Sequence, residues 1–480
     1  MLFDSFAYIF LFLPLLIFLL YFTNNSKLNL YILIISSIFF YAMWNFNSLK
    51  ILIISIIFNF FFGEFLSKFK KKTLLFFSIS FNLFILGYFK YYNFFIQNIN
   101  LLVNENFNYL NIVYPLAISF YTFQQITYLV DVFNDEIKDR NIVSYFLFVS
   151  FFPQLVAGPI VKYNYLVPQF KNLKIARSLF KNFPVSFLLI SIGLFKKIFL
   201  ADYFGNIVDA GYRNIYYLDT LESWIVTFSF TLQFYFDFSA YIDLALGSSM
   251  LFGIKLPINF NSPYKSVNLI DFWSRWHITL SNFLYQYIYY PLVRLKGNFS
   301  FIYSLFITCL VFLIAGIWHG PSWFFLIFGA MHGIGVVFNQ INKKYIFFKI
   351  GNKISIFFTL MYVNLSLIFF RSSNLDEIKA LISKMIIPNF SLPVSLQRET
   401  AYSIISFDGF LINICENSLD KIYIIFYFLI SFYIVYFFKN SNQIANNFNA
   451  NYKGAIFSLI IFFISLIFKT NNNAFIYFNF

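Results

Sequence analysis

Apolar runs of about 20 residues, the length that crosses a bilayer core as a helix, recur along almost the whole chain. They fall at roughly 6–22, 30–46, 48–66, 73–92, 113–130, 184–200, 222–240, 299–318, 321–339, 352–370, 421–438 and 454–469. Shorter or interrupted apolar pieces lie at 142–160, 241–254 and 272–293. The pattern predicts an all-α polytopic membrane protein, with about 11–13 transmembrane helices plus re-entrant or interfacial helices. One membrane-embedded domain is expected over residues 1–470, followed by a short tail at 471–480. The polar stretch 376–400 predicts an extramembrane loop. Leu2 to Phe22 lacks a basic flank and a small-residue cleavage site, so it reads as a retained first span.

Basic residues orient these spans. Lys68, Lys70, Lys71 and Lys72 belong on the cytoplasmic side. Counting forward puts Asp131–Arg140 on that side, and the basic segment Lys162 to Lys181 belongs there too. A full crossing between the two would break the charge rule. The intervening Phe151-Phe-Pro-Gln-Leu-Val-Ala-Gly-Pro-Ile160 holds two prolines and a glycine. A re-entrant loop satisfies both signs, and irregular backbone at membrane depth is tolerated where it lines an internal site. An ordinary loop is the alternative.

Composition agrees with the pattern. The 480 residues are 60% hydrophobic and only 11% charged, about half the charge of a soluble domain. A net charge of +14 raises nucleic-acid binding, but the Lys and Arg cluster in short loops beside apolar spans, as membrane orientation requires. Cys309 and Cys415 offer neither a disulfide framework nor metal-ligand spacing.

The candidate chemistry gathers in residues 271–333, which hold the chain's three histidines, His277, His319 and His332. From Gly297 to Asn342 there is no Asp, Glu, Lys or Arg. An imidazole in such surroundings usually faces a cavity or a partner, and it is the side chain best suited to moving protons near neutral pH. His319 ends an apolar helix, and the following Gly320-Pro321 cannot simply continue it. The break opens space for a general base, or it is a tight surface turn. Phe272 to Tyr287, read as one helix, puts Phe272, Trp273, Trp276, Leu280, Phe283, Leu284 and Tyr287 on one face, with His277 at its edge. That suits an interfacial helix or the wall of a polar cavity. His332 sits within the next span, where helix packing or a hydrogen bond explains it. No nucleophile elbow, phosphate-binding glycine loop or Asp-x-Asp pair is present. Three scattered histidines make a poor metal site. What remains is general-base transfer of an activated acyl group, with His319 taking the proton from an acceptor hydroxyl.

Several blocks then carry a resemblance. They are Phe123-Gln-Gln-Ile-Thr-Tyr-Leu-Val-Asp131, Phe152-Pro-Gln-Leu-Val-Ala-Gly158-Pro-Ile, Asp237-Phe-Ser-Ala-Tyr-Ile-Asp243 and Leu256-Pro-Ile-Asn259-Phe-Asn261-Ser-Pro-Tyr264. Phe272-Trp-Ser-Arg275-Trp-His277-Ile-Thr-Leu and Trp318-His319-Gly follow, so the blocks span roughly 115–335. In this order they resemble the membrane-bound O-acyltransferase superfamily, in its bacterial branch that acylates cell-surface polymers. The tail Phe475-Ile-Tyr477-Phe-Asn-Phe480 resembles that branch's aromatic C-terminal motif. Thr279 and Tyr285-Gln286 depart from the branch, which often has Arg-Asp at the latter pair.

The resemblance implies a ring of helices around a thin centre, with residues 115–335 as the catalytic core. His319 would be the catalytic histidine and His277 the second functional one. Tyr477 would be an acyl relay, with membrane anchoring as its mechanical alternative. Asn261, Trp273, Arg275 and Trp318 would be supporting or tunnel residues. No tightly bound cofactor and no metal are expected; acetyl-CoA or another acyl thioester would be the donor. The expected partners are a soluble extracytoplasmic acyltransferase, a cell-surface glycan such as peptidoglycan or an alginate-like polysaccharide, and the bilayer of a bacterial inner membrane. D-alanyl transfer to teichoic acid is an alternative. A transporter or flippase without covalent chemistry is another, since broken helices and buried histidines also suit it.

Overall fold

A computed structural model describes the chain except residues 24, 172, 174, 298–299, 347, 349, 389–418, 470–474 and 477–480. The described elements are helices, with no strand among them. Every predicted apolar run overlaps a helix. Six helices are long and apolar enough to cross a bilayer: Phe46–Phe69, Lys72–Val103, Leu179–Arg213, Phe301–His319, Trp323–Tyr345 and Asn352–Arg371. Four shorter apolar helices, Ala7–Tyr21, Ser26–Ala42, Phe426–Phe437 and Tyr452–Ile467, accompany them. The stretch 376–400 is not simply a loop. It opens with the helix Leu375–Ile386, whose Ile378, Leu381 and Met385 are buried; its remainder from 389 lies outside the described residues.

The pillar of the fold is Thr220–Leu251, a 32-residue helix. It starts at a reciprocal cap, in which Glu222 N–H donates to Asp219 Oδ1 at 2.7 Å and Asp219 N–H to Glu222 Oε2 at 3.1 Å. From Phe230 on it is buried almost all round, so its carboxylates need partners. Asp243 takes Lys196 Nζ at 2.7 Å and Ser441 Oγ at 2.6 Å. Asp237 takes Lys197 Nζ at 2.8 Å, and Lys197 also pairs with Asp202 at 2.8 Å. The second oxygen of Asp237 accepts Ile476 N–H at 2.8 Å. The tail therefore returns to the core: Phe475 is 1% exposed, with the Lys197 ammonium 4.5 Å over its ring. Tyr477 lies outside the described residues.

Phe301–His319 and Trp323–Tyr345 cross where glycines meet. A Cβ on Gly316 would lie 2.3 Å from Phe325 O, and one on Gly329 would lie 2.4 Å from Phe312 O. Small residues let helix backbones approach where apolar burial gives no drive against lipid. This crossing sets the position of the chain break after His319.

Two segments are broken rather than spanning. Phe151–Ile160 forms only the short turn of helix Phe152–Leu155 and is buried almost throughout. The predicted single helix Phe272–Tyr287 does not exist. Leu269–Arg275 ends, Trp276 is extended, and His277 takes a left-handed backbone at φ +44° before Ile278–Phe283 begins. The cause is tertiary. Residues 259–261, outside any helix, hydrogen-bond across the break, with Asn261 N–H donating to Arg275 O at 2.9 Å and Ile278 N–H to Asn259 O at 3.0 Å.

Candidate active site

Helix Ile118–Phe133 passes two cavities in succession. Near its start, a cavity of about 520 Å³ is walled by Lys90, Ser119, Phe120, Val156, Trp318 and His319, among others. Farther along, Thr127 reaches a cavity of about 210 Å³ whose wall includes Ile160, Lys162, Thr279, Gln286 and Tyr287. Between them Phe123 stacks on Trp318 at 5.4 Å and on Phe283 at 4.2 Å. Trp318 belongs to the first wall and Phe283 to the second, so an aromatic stack three rings deep divides the two spaces. The broken segment also serves both, through Val156 on one side and Ile160 on the other.

His277 lies at this divide. Its ring is 4.9 Å from Phe238, 6.5 Å from Phe120 and 6.2 Å from Trp318. Its Nδ1 is 3.3 Å from Asn259 Oδ1, an oxygen that can only accept. Nδ1 therefore carries the proton, and the neutral ring keeps its lone pair on Nε2. Asn259 Oδ1 also accepts Thr279 N–H at 3.1 Å and the Thr279 hydroxyl at 2.9 Å, and Thr279 Oγ1 accepts Ile160 N–H at 3.0 Å. One amide thus ties His277 to the broken segment. A positive φ at a residue other than glycine costs free energy and persists where its surroundings hold it.

His319 ends its helix inside the larger cavity, 5.0 Å ring to ring from Trp318 and 5.1 Å from Phe370. Both histidines thus pack against one indole. The carbonyls of Trp318 and His319 accept the buried Lys90 ammonium at 2.8 and 2.9 Å, and Ser119 Oγ completes its shell at 3.3 Å. A helix C-terminus presents its unpaired carbonyls, and Lys90 caps them from a helix more than two hundred residues earlier.

The other expected residues lie elsewhere. His332 Nδ1 accepts Trp273 Nε1–H at 3.2 Å, so its Nε2–H donates to Ser366 Oγ at 2.9 Å; this is a fully bonded packing histidine. Trp273 is bound to that arrangement and is in neither cavity wall. Arg275 pairs with Asp271 at 2.7 Å, and Asn261 Oδ1 accepts Asn440 Nδ2–H at 3.0 Å. Both brace the loop behind His277. Sequence reasoning missed Asn259 and Lys90 as site residues.

Residues 38–370 match the membrane-bound O-acyltransferase family along more than half of the chain. The chain belongs to that family. Among similar proteins, the peptidoglycan O-acetyltransferase of Helicobacter pylori is 39% identical over 331 residues, 63% of this chain and 62% of that protein. A probable alginate O-acetylase of Azotobacter vinelandii is 35% identical over 297 residues, 61% of this chain and 58% of that protein. The teichoic acid D-alanyltransferase of Streptococcus thermophilus is 28% identical over 244 residues, covering 47% and 56%. The matches thus span about three fifths of the relatives' own length. Family membership makes this a multi-pass membrane protein. His277, Trp318 and His319 all fall within the matched residues, whereas the tail does not.

Proposed function

We propose that this protein is an O-acyltransferase that passes an acetyl group across a bacterial inner membrane for O-acetylation of an exported glycan. The observation that carries the reading is the pair of cavities meeting at one aromatic divide, with His277 in the divide and His319 on one side of it. The smaller cavity has Lys162 in its wall, within the basic segment assigned to the cytoplasm, and it receives an acetyl thioester such as acetyl-CoA. The larger cavity receives the acceptor hydroxyl.

At the divide His319 accepts the hydroxyl proton as the oxygen attacks the thioester carbonyl carbon. The new C–O bond forms while the carbonyl π pair moves onto its oxygen. Collapse restores the C=O and breaks the C–S bond, and His319 returns the proton to the leaving thiolate. His277, with Nε2 as acceptor, positions the hydroxyl or shares the proton. Tyr477, or a hydroxyl of a soluble extracytoplasmic acyltransferase, is the first acceptor in this scheme, and the glycan is the last.

The acetyl group is favoured over D-alanine because the acetylating relatives are more similar, at 39% and 35% against 28%. The test is ester-linked acetate on isolated wall and surface polysaccharide, measured by mass spectrometry after mild base release. Cells carrying the native chain are compared with cells carrying His319→Ala at matched membrane levels. Loss of acetate from one polymer supports the reading and identifies the acceptor. Unchanged acetate with lost D-alanine esters moves the assignment to alanyl transfer; unchanged levels of both leave transport.

A further inference from the structure

One residue of the cavity walls carries a buried donor that meets no acceptor among the described residues. Trp318 is 4% exposed, and its indole Nε1 has no hydrogen-bond partner among the described residues. Three of the chain's other five tryptophans do find a partner for theirs. Trp224 Nε1 donates to Met385 O at 3.2 Å, Trp273 Nε1 to His332 at 3.2 Å and Trp323 Nε1 to Asn98 Oδ1 at 2.9 Å. Among the described buried polar atoms that lack a partner, Trp318 Nε1 alone belongs to a residue in either cavity wall. A buried polar group left unpaired costs free energy, so each one calls for an explanation, a catalytic role among them.

The indole is also held rigidly. It lies at 17° to Phe123 in a stacked pair and at 69° to Phe120 in an edge contact. Its own carbonyl is bound by Lys90. An indole N–H donates and cannot accept, so its partner must be an acceptor. Trp318 touches both imidazoles, where the proposed transfer builds negative charge on one atom, the former carbonyl oxygen. A fixed donor aimed at developing charge needs no reorganisation during the reaction, which is how oxyanion stabilisation lowers a barrier.

We propose that Trp318 Nε1–H is a catalytic hydrogen-bond donor, which holds the acyl carbonyl oxygen at the divide and stabilises it as an oxyanion during transfer. The assignment rests on acyl transfer at His319 as proposed above. It gives the ring a chemical task beyond closing the passage between the cavities: the ring separates the two spaces, and its nitrogen serves the acyl group where they meet.

The test separates the N–H from the ring. In the full-length protein in membrane vesicles, Trp318→β-(3-benzothienyl)alanine replaces the N–H by sulfur and keeps the bicyclic shape. Trp318→5,6-difluorotryptophan keeps both shape and N–H. Initial rates of label transfer from acetyl-CoA are measured over a range of donor concentrations. The expected result is a kcat about 100-fold lower for the sulfur isostere, with KM and thermal stability close to native, and a near-native kcat for the difluoro variant. Native kcat in the isostere overturns the proposal, because packing alone then suffices. Equal losses in both variants overturn it as well, since the N–H is then not the feature that matters. His319→Ala is run in parallel. If it still transfers label, the base assignment fails, and the isostere continues to report on the N–H independently.

Discussion

Asn259 and His277 are joined amide oxygen to ring nitrogen across 3.3 Å, and the same oxygen holds both polar hydrogens of Thr279. Asn259→Ala removes the acceptor from all three donors in a buried place, where each unpaired group costs about 1–3 kcal/mol. A large loss of stability is expected, with activity falling at least ~10-fold in whatever protein remains folded. Thermal unfolding in detergent and label transfer in vesicles check the two parts separately.

His319 and His332 give opposite outcomes on substitution. His332→Ala breaks the chain from Trp273 to Ser366 and leaves a cavity, so it lowers stability by about 2–4 kcal/mol and spares the chemistry of correctly folded molecules. His319→Ala abolishes transfer with little change in unfolding temperature. Specific activity per folded molecule, measured after size-exclusion selection, distinguishes them.

Gly316 has no room for a methyl group. Gly316→Ala pushes the backbone of the Trp323–Tyr345 helix away from 2.3 Å contact, at a cost of about 1–3 kcal/mol, and shifts the helix end that carries His319. Reduced melting temperature together with reduced kcat is expected. A variant with native values of both would show that the two helices can part without disturbing the site.

Lys90→Met keeps much of the side-chain volume and removes the cap from the Trp318 and His319 carbonyls. Misplacement of a catalytic group by about 1 Å costs ~100-fold, so a kcat loss of that order is expected, with less effect on KM. Steady-state rates at matched protein level check it.

The tail is held by Asp237. Asp237→Ala removes the acceptor of Ile476 N–H and one of the two carboxylates of Lys197; breaking such a buried pair costs about 3–5 kcal/mol. Carboxypeptidase digestion of native and variant protein, followed by intact mass, should show C-terminal residues trimmed faster in the variant. Equal trimming rates would show that this hydrogen bond does not retain the tail.

The spans were legible because bilayer thickness dictates the length of an apolar run, whatever its detailed sequence. The break at Phe151–Ile160 was legible for a related reason: prolines and a glycine stood where the charge rule forbade a crossing. The break at His277 was hidden. Its neighbours continue a helical periodicity, no glycine or proline marks it, and the force that opens it comes from residues 259–261. Lys90 was hidden differently. It stands among aromatic residues in an apolar run, and its acceptors are backbone carbonyls, which no side-chain motif can announce. The two cavities were foreseen only as a broken wall and a pair of histidines, because cavity shape depends on helices far apart in the chain.

The Lys90 cap has a consequence for how the protein is made. Residues 72–103 precede their acceptors by more than two hundred residues, so the nascent helix enters the bilayer with an ammonium group near the far end of its apolar run and no carbonyl to meet it. A lysine in an apolar span raises the cost of insertion, less so near the end of the span where its side chain can reach the interface, and the surrounding Phe and Tyr offset it. The cap can form only once the Trp318–His319 segment has been made. The site therefore closes late in biogenesis, and a chain interrupted before residue 318 holds a charged helix still in search of its place.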